Sequence, residues 1–292
     1  MIEAKKKFGQ NFLKDSTVLS KIIQAMPRSD RKLVEIGPGL GDLTQELLRI
    51  KPVVAYEVDE DLCVYLRKKF SKEIDEGKLT LVHTDVLDVF TKGSLLSEPY
   101  DLVANLPYYI ATTIILEALD DPYCHTIEVM IQKEVAEKFA AVPKTKEFTS
   151  LAILAQSIGV AQILFDVGPE CFDPQPKVVS SILKIDKQKM FVQGSMEGLF
   201  ESKEQLQAFK KYLRSSFQNP RKTWLKNITS EFNKEIVCGI MRDFELPITI
   251  RPHELSVLSH HLLFKTLRSN DARKHDTRNE SKTRSECPKA ST

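Results

Sequence analysis

Five short apolar runs, interspersed with four helical patterns, constrain this 292-residue chain more than any other feature. The runs are 33–36, 53–58, 79–83, 102–106 and 127–131, with helical spacing over 42–49, 60–70, 112–119 and 133–141. Strands that are apolar throughout, separated by helices, belong to a parallel sheet covered on both faces. An amphipathic helix capped at Asp15-Ser16 precedes them and reaches Met26. After the fifth run the pattern predicts a further helix over 151–159. Two strands follow, 163–167 and 178–185, paired antiparallel through a loop holding Pro169, Pro174 and Pro176.

Beyond residue 187 the apolar spacing is helical only (203–217, 221–228, 234–242 and 256–267), and residues 270–292 are polar and charge-mixed. The pattern therefore predicts three parts: an α/β domain over 1–186, a helical domain over 187–269 and a disordered polar tail over 270–292. No apolar run reaches bilayer length, which argues against a membrane partner. The N-terminus lacks the apolar stretch of a signal peptide. The five cysteines are scattered without a C-x-x-C pair, which fits a reducing cytoplasm and offers no zinc site. Net charge is only +2, yet Lys203 to Lys226 holds seven basic residues against one acid. A second basic cluster is formed by Lys5, Lys6, Lys7 and Lys14. Either could be a solvated helix face or a contact for a phosphate backbone.

The first strand runs into Glu35-Ile36-Gly37-Pro38-Gly39-Leu40-Gly41 and then a helix. Glycines there let the backbone approach a ligand, with amides free at the helix start. The spacing is not the G-x-G-x-x-G of dinucleotide enzymes. Glu57 ends the second strand, where a carboxylate can accept from both hydroxyls of a ribose. Asp85 ends the third, where it could accept from an adenine amino group. A helix cap is the commoner account of each acid alone. Four strand ends in succession pointing polar groups at one sheet edge are what a ligand site of an open α/β fold requires. With no Lys or Arg in the glycine loop to neutralise phosphate, S-adenosylmethionine fits better than NAD or ATP.

The fourth strand ends in Asn105-Leu106-Pro107-Tyr108. The amine of adenine is a poor nucleophile because its lone pair is delocalised into the ring. An Asn oxygen and the Pro107 carbonyl can accept its two N–H groups and draw the nitrogen toward a reactive geometry. The Tyr108 face can stack on the base and hold it in line with an incoming methyl group.

Together these motifs resemble those of the rRNA adenine dimethyltransferases of the KsgA/Dim1 type, from about Lys5 to Leu267. Phe8-Gly9-Gln10-Asn11-Phe12-Leu13, Ile131-Gln132-Lys133-Glu134-Val135-Ala136 and Phe172-Asp173-Pro174-Gln175-Pro176-Lys177-Val178 are similar to family segments. The resemblance implies a Rossmann-like class I methyltransferase fold, with a mostly parallel sheet, an antiparallel last strand and a small all-α C-terminal domain. It implies that Asn11 and Leu13 cover S-adenosylmethionine, with Gly37, Gly39, Glu57, Asp85 and Asn105 completing its site and no metal. It further implies that Phe172 stacks on a flipped adenine opposite Tyr108, with Asn105 and Pro107 holding the amine. The implied substrate is a pair of adjacent adenines in a hairpin loop near the 3′ end of 16S rRNA, in the small ribosomal subunit or its precursor. The enzyme is expected to be a cytoplasmic monomer with a role in subunit maturation. The chain departs from the family at Glu147-Phe148-Thr149-Ser150-Leu151-Ala152, where relatives usually carry a basic residue.

Two rival readings stay open at this point. One is a large-subunit (23S) rRNA methyltransferase of the macrolide-resistance type, which shares the motifs. The other is an assembly factor whose binding to immature subunits matters more than its catalysis.

Overall fold

The computed structural model describes residues 10–187, 200 and 202–283, with side chains described as far as residue 270. Residues 1–9, 188–199, 201 and 284–292 lie outside the described part, and with them Lys5 to Gly9, most of the expected domain boundary at 186–197, and Cys287.

The chain opens with β1 (Phe12–Leu13) and α1 (Ser16–Ala25). Alternation then runs through β2 (Lys32–Ile36), α2 (Asp42–Leu48), β3 (Val53–Glu57), α3 (Glu60–Lys69), α4 (Ser71–Asp75), β4 (Leu79–His83), α5 (Val86–Lys92) and β5 (Tyr100–Asn105). It continues with α6 (Ala111–Asp120), β6 (Cys124–Gln132), α7 (Lys133–Ala140), α8 (Ser150–Ile158), β7 (Val160–Val167), β8 (Phe172–Asp173) and β9 (Ser180–Asp186). Seven strands form one sheet in the order β4-β3-β2-β5-β6-β9-β7. The pairs among β2 to β6 are parallel, and β9 is antiparallel to both β6 and β7. Among the described residues the last strand, β9, is thus the antiparallel one, and it sits inside the sheet.

The buried faces account for the strands' composition. Leu33, Val34, Ala55, Leu102, Val103, Ile127, Val129, Leu183 and Ile185 are all at or near zero exposure. Strand ends β2, β3 and β5 run directly into the polar residues that turn the chain outward, which places those residues along one edge.

Among the described residues the chain divides into two compact units, one of 10–141 and 154–187, the other of 142–153, 200 and 202–283. The second unit takes in 142–153, a segment that local pattern alone assigns to the first domain. The Lys144 amide donates to the His253 carbonyl at 2.8 Å, and Phe148 is buried, so the segment carries its own ties within that unit. The second unit is otherwise built from α9 (Lys203–Ser216), α10 (Trp224–Ile228), α11 (Lys234–Asp243) and α12 (Val257–Thr283). Phe209, Tyr212, Trp224, Ile228, Val237, Leu263 and Phe264 form its core. His260 lies in that core with its pKa lowered by burial to about 4, so it is neutral at pH 7. Its Nε2 faces the Pro252 carbonyl at 3.0 Å, an acceptor only, so Nε2 donates and Nδ1 accepts from the Tyr212 hydroxyl.

A disordered polar tail was expected from Asn270, but the described chain stays helical beyond that residue. Helix α12 continues to Thr283. Polar composition argues against a packed core but does not stop a helix, and 257–283 contains neither glycine nor proline to break one.

Candidate active site

A cavity of about 140 Å³ opens at the edge of the sheet where β2, β3, β4 and β5 end. Its floor is the glycine turn after β2. Gly37, Gly39 and Gly41 all have positive φ (68°, 59° and 79°), a region costly for residues with a Cβ. The turn is anchored by the Gly37 amide donating to the Tyr56 carbonyl and the Gly41 amide donating to the Pro38 carbonyl, both at 2.9 Å. A Cβ on Gly39 would come within 3.0 Å of the Phe12 ring, so this glycine lets β1 close over the turn.

Glu57 lies buried beside that turn. Its Oε1 accepts from the amides of Val58 and Asp59 (3.0 and 2.9 Å), and its Oε2 accepts from Gly39 at 3.4 Å. Burial raises its pKa, and the three amides oppose the rise. The carboxylate is thus oriented by the backbone. Asp85 lines the same cavity, and its Oδ1 also accepts from the Leu87 amide as the cap of α5. The capping reading of this residue is met, and the same residue also lines the cavity. Asn11, Leu13, Gly37, Gly39, Glu57, Asp85 and Asn105 all line the cavity, as do Pro107 and Tyr108.

Asn105 and its loop have a defined geometry. The Asn105 Nδ2 donates to the Asn11 carbonyl at 3.1 Å. A carbonyl can only accept, so the two ends of the amide are told apart and Oδ1 is its acceptor end. The Pro107 carbonyl takes the Ile110 amide at 3.2 Å. A carbonyl has two lone pairs, so a second donor can still be accommodated. The Tyr108 hydroxyl is 2.7 Å from Ser180 Oγ, and burial raises the phenol's pKa.

Phe172 does not join them. It is 3 % exposed and packs in the core with Leu13, Val18 and Ile182, while β8 pairs with β1 through Leu13 and Phe172. Pairing of β8 with β1 sets Phe172 beside Leu13, and both belong to the same apolar cluster. Its expected stacking on a base is not what this structure presents.

Several residues of the site were not singled out in the sequence. Glu35 lies at the cavity wall with Thr44 Oγ1 donating to it at 2.7 Å. Burial pushes its pKa up to about 8, so it is mostly protonated at pH 7. A charged residue inside an apolar strand run was the available signal. Gln10 Nε2 donates to Asp59 at 3.1 Å and Lys14 Nζ to Asp42 at 2.6 Å, pinning the strap on either side of Asn11. Tyr109 stands at the cavity with 59 % exposure, its pKa raised by burial and then by Asp85 and Glu57. It directly follows the Asn105–Tyr108 motif, and nothing in the sequence marked its placement.

Among the described residues no Lys or Arg lines the cavity, whereas Glu35, Asp42, Glu57 and Asp85 do. With Glu35 protonated and Asp42 met by Lys14, a phosphate-bearing nucleotide would still meet Glu57 and Asp85 there, and a nucleoside carrying positive charge meets favourable groups. No cluster of His, Cys, Asp and Glu suited to a metal occurs among the described residues, nor any helix long and apolar enough to cross a membrane.

The sequence model of the family described as ribosomal RNA adenine dimethylase matches residues 1–266. The chain belongs to this family. Curated relatives agree. Ribosomal RNA small subunit methyltransferase A of Campylobacter curvus is 48 % identical, covering 94 % of this chain and 95 % of its own. The protein of the same name from Sulfurimonas denitrificans is 49 % identical, covering 94 % and 98 %. Among solved structures, a dimethyladenosine transferase from Plasmodium falciparum superposes with a TM-score of 0.72 at 22 % identity, over 90 % of this chain and 98 % of that one. The 23S rRNA methyltransferase ErmE gives 0.66 at 23 % identity, over 88 % and 100 %. At such identities these two speak for the shared class I methyltransferase fold. As a ribosomal RNA adenine dimethylase, the chain is a methyltransferase acting on ribosomal RNA.

Proposed function

We propose that this dimethylase transfers methyl groups from S-adenosylmethionine to the exocyclic amines of two adjacent adenines near the 3′ end of small-subunit rRNA. The observation that carries the reading is the oriented amide of Asn105. With Nδ2 committed to the Asn11 carbonyl, Oδ1 is the atom offered to a base amine beside the second lone pair of the Pro107 carbonyl. Two acceptors match the two N–H groups of an adenine amine, which is how a site selects adenine and makes its nitrogen a nucleophile. Tyr108 supplies the stacking face on which a base taken out of its stack rests.

The carboxylates are suited to the cofactor. Glu57 is held by three amides and accepts from the ribose hydroxyls, and Asp85 accepts from the cofactor's adenine amine. Asn11 and Leu13, in the strap pinned by Gln10 and Lys14, cover it. When bound, S-adenosylmethionine supplies a methyl group already activated on a sulfonium, so the residues need only position the amine and exclude water. A methylated amine made acidic by transfer can lose its proton to solvent without a dedicated base. The near relatives named for the small subunit favour that RNA over the large-subunit alternative. The basic stretch from Lys203 to Lys226 suits contact with RNA backbone, and the site of action is taken to be the cytoplasm.

The test is transfer of labelled methyl from S-adenosylmethionine to unmethylated small subunits, large subunits and protein-free RNA, followed by nucleoside analysis. Dimethyladenosine in small-subunit RNA alone is expected. Label in large-subunit RNA would move the enzyme to the resistance branch. No label anywhere, with cofactor bound, would favour the assembly-factor role.

A further inference from the structure

Ser180 is the first residue of β9 and is fully buried. It pairs with Gln132 at the end of β6 and with Val167 at the end of β7, which puts it on the same sheet edge as Asn105. The strand order is β5-β6-β9, so the loop after β5 must reach across the end of β6 to meet it. Tyr108 does so, with its hydroxyl 2.7 Å from Ser180 Oγ. The neighbouring Ser181 has a separate engagement: its Oγ donates to Asp166 Oδ1 at 2.6 Å, and Lys133 Nζ donates to the same carboxylate. Two adjacent serines therefore serve opposite sides of β9, and only Ser180 is turned to the catalytic loop.

A phenol ring attached at one end can swing and tilt about its side-chain torsions. Tyr108 is held at both ends, by the turn that follows Pro107 and by the bond at its hydroxyl. A stacking face assists an in-line transfer only while its plane is held. We infer that Ser180 is a positioning residue, which fixes the long axis of the Tyr108 ring, and so where its face lies, through the O–H···O bond between them. This rests on the reading that Tyr108 stacks on the target base. Ser180 acts through Tyr108 and touches no reacting group. Burial raises the Tyr108 pKa, so its proton is in place at neutral pH and the bond persists across the working range.

The experiment is steady-state methylation of unmethylated small subunits by Ser180→Ala, Tyr108→Phe, the double variant and Tyr108→Ala, with S-adenosylmethionine affinity measured by calorimetry. One buried hydroxyl bond sets the scale of the effect. Ser180→Ala should lower kcat by roughly three- to tenfold, with KM for the particle within about twofold and cofactor affinity unchanged. Tyr108→Phe should fall by the same factor, and the double variant no further than either single. Losses that multiply in the double variant, or a Ser180→Ala enzyme as fast as wild type, would overturn the inference. Tyr108→Phe reads the same bond without altering the buried serine, so a folding defect in Ser180→Ala does not hide the answer. Tyr108→Ala separates the two layers. If it turns over normally, the stacking reading itself fails. If it is inactive while Ser180→Ala and Tyr108→Phe are normal, only the positioning role fails.

Discussion

Glu128 offers a sharp test of the sheet's electrostatics. It sits in the middle of β6, between Val103 of β5 and Lys184 of β9, and is 1 % exposed. Neither carboxylate oxygen has a hydrogen-bond partner. Its nearest cation, Lys184 Nζ, is 3.9 Å from Oε2 and donates instead to the Ala25 carbonyl at 2.8 Å. Asp186 on β9 and Asp101 on β5 add negative charge, although Asp101 is itself met by Arg31 at 2.9 Å. Burial therefore dominates and raises the Glu128 pKa from 4.5 to about 7, with Lys184 opposing and the two aspartates reinforcing. A raised carboxylate favours the folded state while it is protonated. That contribution is fully present below about pH 4.5 and is lost as pH rises through about 7. The gap between the two values corresponds to about 3 kcal/mol, a substantial share of a typical folding free energy.

Glu128→Gln mimics the protonated form at every pH. Urea unfolding of wild type and variant should give nearly equal stabilities at pH 4.5. By pH 8.5 the variant should be the more stable by about 3 kcal/mol. Taking the difference between the two proteins cancels every other titrating group, including Glu35. If the difference stays constant within about 0.5 kcal/mol from pH 4.5 to 8.5, the carboxylate is not held protonated by its surroundings and the argument fails.

Other expectations concern the site. Asn105→Ala should retain cofactor affinity but lose about 10²- to 10³-fold in kcat, the scale for removing one oriented polar group at a reacting centre; methyl transfer within a few-fold of wild type would refute the role. Glu57→Ala should weaken S-adenosylmethionine binding by roughly ten- to a hundredfold, the worth of hydrogen bonds to a charged group, and an unchanged titration would reject the ribose contact. Gly41→Ala forces a Cβ to 2.5 Å from the Phe70 ring at a φ of 79°. It should cost about 2 kcal/mol or more, read as a lowered urea midpoint.

The sheet and most of the residues at its cavity edge were legible in the chain because each depends on local pattern. A continuous apolar run that stops at a polar residue marks both a buried strand and the place where it reaches the ligand edge. Glu57, Asp85 and Asn105 could therefore be named before any tertiary contact was known. The glycines before α2 were legible for a similar reason, since their backbone conformation is a property of the turn itself. Helix α12 was misjudged at its end because polar composition reports the lack of a core and is silent on helix continuity.

What tertiary structure alone decided are the partners far apart in sequence. Phe172, which the resemblance places against the base, lies in this structure in the apolar cluster with Leu13, beside which the pairing of β1 with β8 sets it. The Asn105 amide was expected to offer an oxygen, but its orientation comes from the Asn11 carbonyl, 94 residues away. Ser180 drew no notice because nothing within its own strand distinguishes it from Ser181. The order β5-β6-β9 brings one of them to Tyr108 and leaves the other facing Asp166. Strand ends follow from local hydrophobic pattern, but the contacts between side chains across the sheet edge follow from strand order and register, which one chain's local pattern does not encode.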